Sequence, residues 1–455
     1  MAIPAVAARV RAWLSGLPPL AILGAAWLFA LIYAFPGIMT FDSSDQLDQG
    51  RANFYSDGHP PVMAKLWRYV DAIIPGPFGM LVIQTVALAA GLYLMFRRAL
   101  PARRAAVAAA AVFVFPPVLA PMAVVWKDAP MAGFLMLGLA GVLAGRRVHR
   151  VLGLVALWLA TAVRYNAFAA TAPLVVLCFT WPGVTRWYAR YGLALAAWLA
   201  ITASAFGANA ALTDVEMHYW QSSLAVFDIA GTLDHVDGTI PDDELRQTLA
   251  GTRILVDKDI HAAIRAAYKP GNFDTLLVGP GHLWDLPVQG STPAPDDQLD
   301  AITRAFWDVV TAHPGAYLRH RAALGDELFG VHQGSLSKVV RTHASQLDGY
   351  LQNQHLSTGA STVQRALQRA MLWIAHRTPL FRPWIYLVLA LIALAFVRRD
   401  RELVALLLSG IGLEASLFVL APTPDFRYSH WLVLATVVAI ALAAVRRYGA
   451  GGSRR

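Results

Sequence analysis

The chain is poor in cysteine and in charged residues. Cys178 is the only cysteine among 455 residues, and 15% of the residues are charged. A single cysteine can form neither an internal disulfide nor a thiolate metal site within the chain. The low charged fraction, beside 57% hydrophobic residues, lies outside the usual range of soluble globular proteins. The composition therefore indicates a membrane protein.

The hydrophobic residues form runs that are long enough to cross a bilayer. A spanning helix needs roughly 20 apolar residues, and charged or Pro- and Gly-rich stretches separate about ten such runs. The run before Arg164 is short, so a broken helix pair lining a cavity is expected there. The sequence thus predicts an all-α polytopic membrane protein with spans near 17–36, 78–96, 105–125, 129–145, 151–163, 167–181, 191–211, 383–397, 402–421 and 429–445.

The net charge of +9 comes largely from arginines in short loops between the apolar runs. This pattern is typical of membrane topology signals, so no nucleic-acid partner is expected. Placing Arg9 and Arg11 in the cytoplasm makes both termini cytoplasmic. The later clusters then also face the cytoplasm: Arg97/Arg98/Arg103/Arg104, Arg146/Arg147/Arg150, Arg186/Arg190, Arg398/Arg399/Arg401 and Arg446/Arg447.

This orientation divides the chain into three parts. Residues 1–211 form a transmembrane core whose first outer loop is 37–77, and residues 212–380 form an outer-face insert. Residues 381–455 add the last spans and a cytoplasmic tail. The insert is predicted to be mainly helical, because residues 296–312 carry apolar side chains at helical spacing. Those side chains are Leu299, Ile302, Phe306 and Val309.

Several charged residues lie beside apolar helices on the predicted outer face, in four separate loops. Ionisable groups near membrane depth are costly and usually face a cavity or one another, so a shared site is expected. The alternative for each residue is a solvated position in its loop. The residues are Asp42, Asp45, Asp48, Asp57, His59, Lys127, Asp128, Arg164, Asp425 and Arg427.

The first outer loop offers the best candidate for a general base. Asp42 follows a Pro-Gly turn just beyond a membrane helix, where a carboxylate can accept a proton from a hydroxyl. The alternative is a helix cap, because residues 42–45 could begin a short helix. His59 is either a supporting catalytic residue or a local structural one. A Mg²⁺ or Mn²⁺ ion could bind through Asp42 or Asp45, although no cluster with clear ligand spacing requires one.

The cationic residues of the other loops are candidates for binding a phosphate. Lys127 can act as a point charge that Asp128 holds in place, while Arg164 and Arg427 can form bidentate contacts. The alternatives are a Lys127–Asp128 pair that caps a helical hairpin and a salt bridge from Arg427 to Asp425. The neighbouring residues that suit a sugar or an acceptor are Tyr165, Asn166 and Tyr428.

Asp228 is the one acid within the apolar run 225–230 of the insert. A carboxylate in such a run is costly unless it is paired or lies at a site. We expect it to face the acceptor side of the cavity, and a helix N-cap or a structural ion pair is the alternative.

Five short motifs, taken in order, resemble the bacterial GT-C transferases related to protein mannosyltransferases and aminoarabinose transferases. The resemblance covers the transmembrane core and not the 212–380 insert. The chain differs from the protein mannosyltransferases because Asp42-Ser43 replaces their Asp-Glu pair, which leaves the acceptor type open. The motifs are Pro-Gly with Asp-Ser and Gln (36–46), Gly-His-Pro-Pro (58–61), Trp-Lys-Asp (126–128), Arg-Tyr-Asn (164–166) and Pro-Asp-Phe-Arg-Tyr (424–428).

The resemblance implies a GT-C bundle in a bacterial plasma membrane. It makes Asp42 the base or a metal ligand, and Lys127, Arg164 and Arg427 the ligands of a polyprenyl-phosphate sugar donor. A hexose or pentose would then pass, with inversion, to a hydroxyl of a lipid or glycan of the cell envelope. One alternative is a polysaccharide polymerase or ligase with a diphosphate-linked donor. The other is a transporter or flippase of a lipid-linked anion, which predicts charges in both membrane halves and an internal repeat.

The orientation can be tested with reporter fusions. A reporter placed after Arg447 is expected to score as cytoplasmic, and one inserted within residues 212–380 as external, because the arginine clusters set the topology. A periplasmic signal from the fusion after Arg447 would contradict the orientation.

Overall fold

The computed structural model describes residues 16–287, 292–331, 340–343, 356, 359–421 and 423–451. Within these residues the regular secondary structure is entirely helical, and strand pairing is limited to isolated bridges. The all-α prediction is therefore confirmed for the part of the chain that is described. Arg9 and Arg11, on which the predicted orientation depends, lie outside it.

The helices before the polar segment are α1 Pro19–Ala34, α2 Phe41–Ala52, α3 Pro61–Asp71, α4 Phe78–Arg97, α5 Ala102–Phe113, α6 Pro116–Met122, α7 Asp128–Val142, α8 Arg147–Val163, α9 Ala167–Pro173 and α10 Trp187–Leu212. The later helices are α11 Val226–Asp234, α12 Asp242–Thr248, α13 Ile260–Ala267, α14 Asp274–Leu277, α15 Asp296–Ala312, α16 Pro314–Phe329, α17 Thr362–Arg377, α18 Pro383–Val397, α19 Arg401–Leu420 and α20 His430–Gly451.

Among the described residues, four helical segments are long and apolar enough to cross a membrane: Phe78–Arg97, Trp187–Leu212, Arg401–Leu420 and Phe426–Arg447. A fifth span is possible if α5 and α6 act together, although they meet at a bend of 71°. Pro116 and Pro117 follow the bend, and an extended Phe115 precedes them because a residue before proline avoids helical geometry. These segments support the membrane class predicted from composition.

Several of the apolar helices are shorter than a helix that crosses a bilayer. The helices α7 and α18 contain 15 residues each. At 1.5 Å per residue such a helix is about 22 Å long, less than the roughly 30 Å of a hydrocarbon core. The short apolar helices in the described residues are Pro19–Ala34, Asp128–Val142, Ala167–Cys178 and Pro383–Val397.

The break predicted around Arg164 is confirmed. Helix α8 ends at Val163, and Arg164 is extended, with φ −150° and ψ 118°. Helix α9 runs from Ala167 to Pro173, and a π-helical turn over Leu174–Cys178 follows it. The interruption places the charged side chain of Arg164 between two apolar helices, at a residue that belongs to neither helix.

Two hydrophobic cores organise the molecule. The larger core joins the apolar helices, while a second core gathers α11, α13, α15 and α16 of the polar segment. The predicted helix over residues 296–312 is confirmed as α15. Its four expected apolar residues, Leu299, Ile302, Phe306 and Val309, are all buried. The second core also includes Leu417, Ala421 and Tyr428, so it reaches the end of α19 that precedes Arg427.

Glycines allow α4, α7 and α8 to pack closely in the larger core. A Cβ added to Gly91 of α4 would lie 2.6 Å from the backbone nitrogen of Leu137 in α7. A Cβ on Gly153 of α8 would lie 2.5 Å from the backbone nitrogen of Val142. Because backbone atoms cannot rotate away, these helices can approach so closely only where a side chain is absent.

Alanine substitutions test this packing. We expect Gly91→Ala to destabilise the purified protein by about 1–3 kcal/mol, because the added carbon forces two helices apart. The matched control is Gly192→Ala in α10, where nothing lies within 4 Å of the added carbon. Alanine favours helices over glycine by about 1 kcal/mol, so the control should be neutral or stabilising. Equal melting temperatures for the two variants in detergent would contradict the close contact.

Candidate functional site

The first loop is fixed against the loop that precedes α7. Gly37 has φ 127°, and a Cβ there would lie 3.0 Å from side-chain atoms of both Pro77 and Val125. The next residue, Ile38, donates a backbone hydrogen bond to Ala123 (3.1 Å) and accepts one from Val125 (3.0 Å). The chain therefore enters α2 directly beside the Trp-Lys-Asp motif.

Thr40 caps α2, so Asp42 is not the cap. The backbone N–H of Thr40 donates to Ser43 Oγ (3.1 Å), and Ser43 Oγ donates to the Val125 carbonyl (2.8 Å). Trp126 Nε1 donates to Thr40 Oγ1 (2.6 Å), which joins the helix start to the second loop. Asp42 lies in the first turn of α2. Its carboxylate contacts Arg427, which is far away in the sequence.

Asp128 is the carboxylate that brings the two predicted arginines together. It is the first residue of α7 and its side chain is fully buried. Arg164 Nη1 lies 2.9 Å from Asp128 Oδ1, and Arg427 Nε lies 3.9 Å from Asp128 Oδ2. We expected Asp128 to hold Lys127, whereas it pairs with residues from two other loops.

Arg427 has further carboxylate partners. Its Nη2 lies 2.8 Å from Asp42 Oδ2, and its Nε lies 3.3 Å from Asp425 Oδ2. The guanidinium also lies over the Trp126 ring, 4.3 Å from the centroid. The salt bridge to Asp425 that we considered as an alternative is thus present, as one contact of a larger ionic cluster.

Lys127 contacts a histidine rather than a carboxylate. Its Nζ lies 2.8 Å from His59 Nδ1. Burial, together with the positive charge of Lys127, lowers the pKa of His59 to about 3, so the imidazole is neutral near pH 7. Burial and the nearby Arg164 lower the pKa of Lys127 to about 8, which leaves it mainly protonated. An ammonium has no acceptor, so Lys127 donates this hydrogen bond.

The two carboxylates at the start of α2 differ in basicity. Burial raises the pKa of Asp42, but the Arg427 guanidinium and the cations around it outweigh burial and hold that pKa well below its ordinary value. Burial raises the pKa of Asp45 to about 6, although a hydrogen bond from Gln49 partly offsets the rise. Asp48, one turn away on α2, is exposed.

A cavity of about 660 Å³ opens beside this cluster. Its lining includes the cations Lys127 and Arg164, the acids Asp57 and Glu216, and apolar side chains from α9, α10 and α19. The predicted sugar-binding residues Tyr165, Asn166 and Tyr428 also line it. The apolar residues include Phe168, Phe206, Leu417 and Leu420. The cavity is therefore amphipathic and suits a ligand with an anionic head and an apolar tail.

Other predicted residues lie outside the cavity wall. Asp42, Asp45 and Arg427 are not among the lining residues, and Asp42 and Arg427 belong to the ionic cluster. Asp228 does not face the acceptor side as we expected. It is buried in the second core, where His320 Nε2 lies 2.9 Å from its Oδ1 and Arg321 contacts its Oδ2, so the structural ion pair is the observed arrangement.

Sequence reasoning missed three residues of the site. Trp126 supports Arg427 through its ring, and Tyr219 lines the cavity. Arg341 lies 3.7 Å from Asp425 and 5.8 Å from the centre of the Trp126 ring. The position of Trp126 next to Lys127 could have indicated its role. Nothing in the sequence distinguishes Arg341 from the other arginines of the polar segment.

The expectation of Mg²⁺ or Mn²⁺ finds little support in the donor set. Within the described ranges, no group of three or more His, Cys, Asp or Glu side chains is arranged to hold a metal ion. The carboxylates of Asp42 and Asp45 are engaged by Arg427 and Gln49 respectively. Divalent cations of this kind favour several oxygen ligands, which this pair does not supply.

Comparisons of the chain with known protein families, with curated proteins and with solved structures found no match. The function is therefore argued from the geometry of the site.

The buried ionic cluster can be tested by neutralising its central carboxylate. We expect Asp128→Asn to destabilise the protein by about 3 kcal/mol or more, because it removes the carboxylate that pairs with the buried Arg164. Asp237→Asn is the control, since the Arg319–Asp237 pair is exposed and such pairs contribute about 1 kcal/mol or less. Similar shifts in melting temperature for both variants would contradict the central role of Asp128.

Proposed function

We propose that the protein is a membrane glycosyltransferase that moves a sugar from a polyprenyl-phosphate donor to an acceptor hydroxyl at the outer face of the membrane. The GT-C resemblance of the site motifs agrees with this proposal. The observation that carries it is the amphipathic cavity, because a lining that combines Lys127 and Arg164 with many apolar side chains matches the two ends of a lipid phosphate.

The phosphate is proposed to lie against Lys127 and Arg164, the two cations that line the cavity. Lys127 hydrogen-bonds a neutral imidazole, so its positive charge is not cancelled by that contact. Arg164 lies over the Tyr428 ring, 4.8 Å from the centroid, which orients its guanidinium. Two fixed cations would stabilise the negative charge that develops on a departing phosphate.

Arg427 is proposed to act behind these two residues. Its contacts to Asp42, Asp128 and Asp425 already neutralise it, and it does not line the cavity. Its role is then to hold Asp128, and through it Arg164, in position. This differs from the direct phosphate contact that the family resemblance implies for Arg427.

The sugar is proposed to lie between the phosphate and the first loop. The residues proposed to contact it are Tyr165, Asn166 and Tyr428, which line the cavity. The side chains of Asp42 and Asp45 are each 24% exposed, so an acceptor can approach them from solvent. Inversion follows from direct attack of the acceptor oxygen on the anomeric carbon.

The proposal predicts that the protein binds the polyprenyl-phosphate sugar more weakly when the guanidinium group of Arg164 is removed. Arg164→Lys keeps the charge but not the bidentate geometry. We expect roughly tenfold weaker binding or more, because a hydrogen bond to a charged group contributes about 1.5–3 kcal/mol. The measurement is transfer and binding with a panel of undecaprenyl-phosphate sugars, and Arg246→Lys at an exposed position is the control.

A folded Arg164→Lys protein with unchanged affinity would overturn the phosphate assignment. Melting temperatures in detergent show whether the variant folds. Turnover only with diphosphate-linked donors would favour the polymerase or ligase class. Movement of the lipid across vesicles without sugar transfer would favour a flippase.

A further inference from the structure

His59 has a buried ring nitrogen without a hydrogen-bond partner, and it points toward Asp45. Its side chain is 9% exposed, and its Nε2 lies 4.0 Å from Asp45 Oδ2. That separation is too long for a hydrogen bond between the two atoms. Buried polar atoms are normally paired, so the unpaired Nε2 indicates a position that a ligand can complete.

The distance between these two atoms matches one bridging oxygen atom, which reaches the closed Nε2 when a neighbouring side chain moves. Hydrogen bonds between such atoms are about 2.8 Å long, and 4.0 Å is less than twice that length. A single hydroxyl oxygen placed to one side of the line can therefore contact both atoms. Asp45 is partly exposed, so a hydroxyl can arrive from solvent.

The tautomer of His59 sets the direction of these hydrogen bonds. Because Lys127 donates to Nδ1, the proton of the neutral ring is on Nε2. Nε2–H then donates to the oxygen of the hydroxyl. The hydroxyl proton is left to point toward the remaining acceptor, Asp45 Oδ2.

Asp42 is less suited to receive that proton. One of its carboxylate oxygens is 2.8 Å from Arg427, and the ion pair would be lost if Asp42 became protonated. Asp45 is hydrogen-bonded by the neutral amide of Gln49 (2.7 Å). Its raised pKa brings its basicity closer to neutral pH, where proton transfer is most effective.

We propose that Asp45, rather than Asp42, accepts the proton of the acceptor hydroxyl, and that His59 Nε2 positions the hydroxyl oxygen. This inference rests on the proposed transferase function. The O–H proton passes to Asp45, and the electron pair of the acceptor oxygen forms the new bond to the anomeric carbon. The bond from that carbon to the phosphate oxygen breaks, and its electron pair leaves with the lipid phosphate.

The proposal has a defined pH dependence. The groups that act on Asp45 are Gln49, the carboxylates of Asp42 and Asp48, the cation of Lys127 and the neutral ring of His59. Since the pKa of Asp45 is about 6, the carboxylate form is present above that pH. Turnover is expected to fall as the pH drops through 6. This fall should be absent from the pH–rate profile of Asp45→Asn.

The test compares three carboxylates of the same helix. Asp45→Asn is expected to lower kcat about 100-fold or more, the usual contribution of a general base, and to leave binding of undecaprenyl phosphate unchanged. Asp48→Asn is the matched control and should resemble the wild type. Asp42→Asn should weaken undecaprenyl phosphate binding, because it releases Arg427. The turnover that remains in this variant should still fall as the pH drops through 6.

A second measurement does not depend on turnover. A hydrophobic carbodiimide reacts with protonated carboxyls, so the modification of each peptide can be followed against pH by mass spectrometry. Asp45 is expected to react with a midpoint near pH 6. A midpoint for Asp45 at the ordinary aspartate value of about 4 would overturn the inference.

The outcomes separate this inference from the proposed function. Normal turnover in a folded Asp45→Asn protein that binds undecaprenyl phosphate would overturn the assignment of Asp45 alone. A 100-fold loss confined to Asp42→Asn, with binding intact, would return the base role to Asp42. Failure of the wild-type protein to bind undecaprenyl phosphate would instead overturn the proposed function.

Discussion

The buried carboxylate of Asp128 is the constraint on which the site depends. Two guanidinium groups, from Arg164 and Arg427, lie within 4 Å of it in a region almost closed to water. Buried charges are tolerated only where partners of opposite sign are held nearby. Two local features therefore belong to one arrangement: the helix break at Arg164 and the short turn that carries Arg427. Each places a guanidinium group near the carboxylate of Asp128.

Lys127 stands apart from this balance. The carboxylates of the cluster pair with arginines, whereas Lys127 hydrogen-bonds His59. The same contact protonates His59 on Nε2 and leaves a positive charge facing the cavity. One lysine thus links the lining of the cavity to the region between His59 and Asp45.

The second hydrophobic core supports the site from the polar segment. Arg321 pairs with buried Asp228 and also donates to the carbonyl of Ala421 (3.0 Å), at the end of α19. Tyr428 belongs to the same core and lies under Arg164. The segment between α19 and α20 is therefore held at Ala421 and at Tyr428, two residues that also line the cavity. Asp228 takes part in this support through Arg321.

The sequence by itself determined the helical membrane class, the α15 helix and the break at Arg164, because apolar periodicity and chain-breaking residues act over a few neighbours. It also selected the charged loops, since charges beside apolar helices are costly wherever they fall. It could not decide which charges pair. Asp42 and Asp45 share one helix and one chemistry, and only the arrival of Arg427 beside Asp42 distinguishes an ion-paired carboxylate from one free to accept a proton. That choice depends on how distant helices pack, which local sequence does not encode.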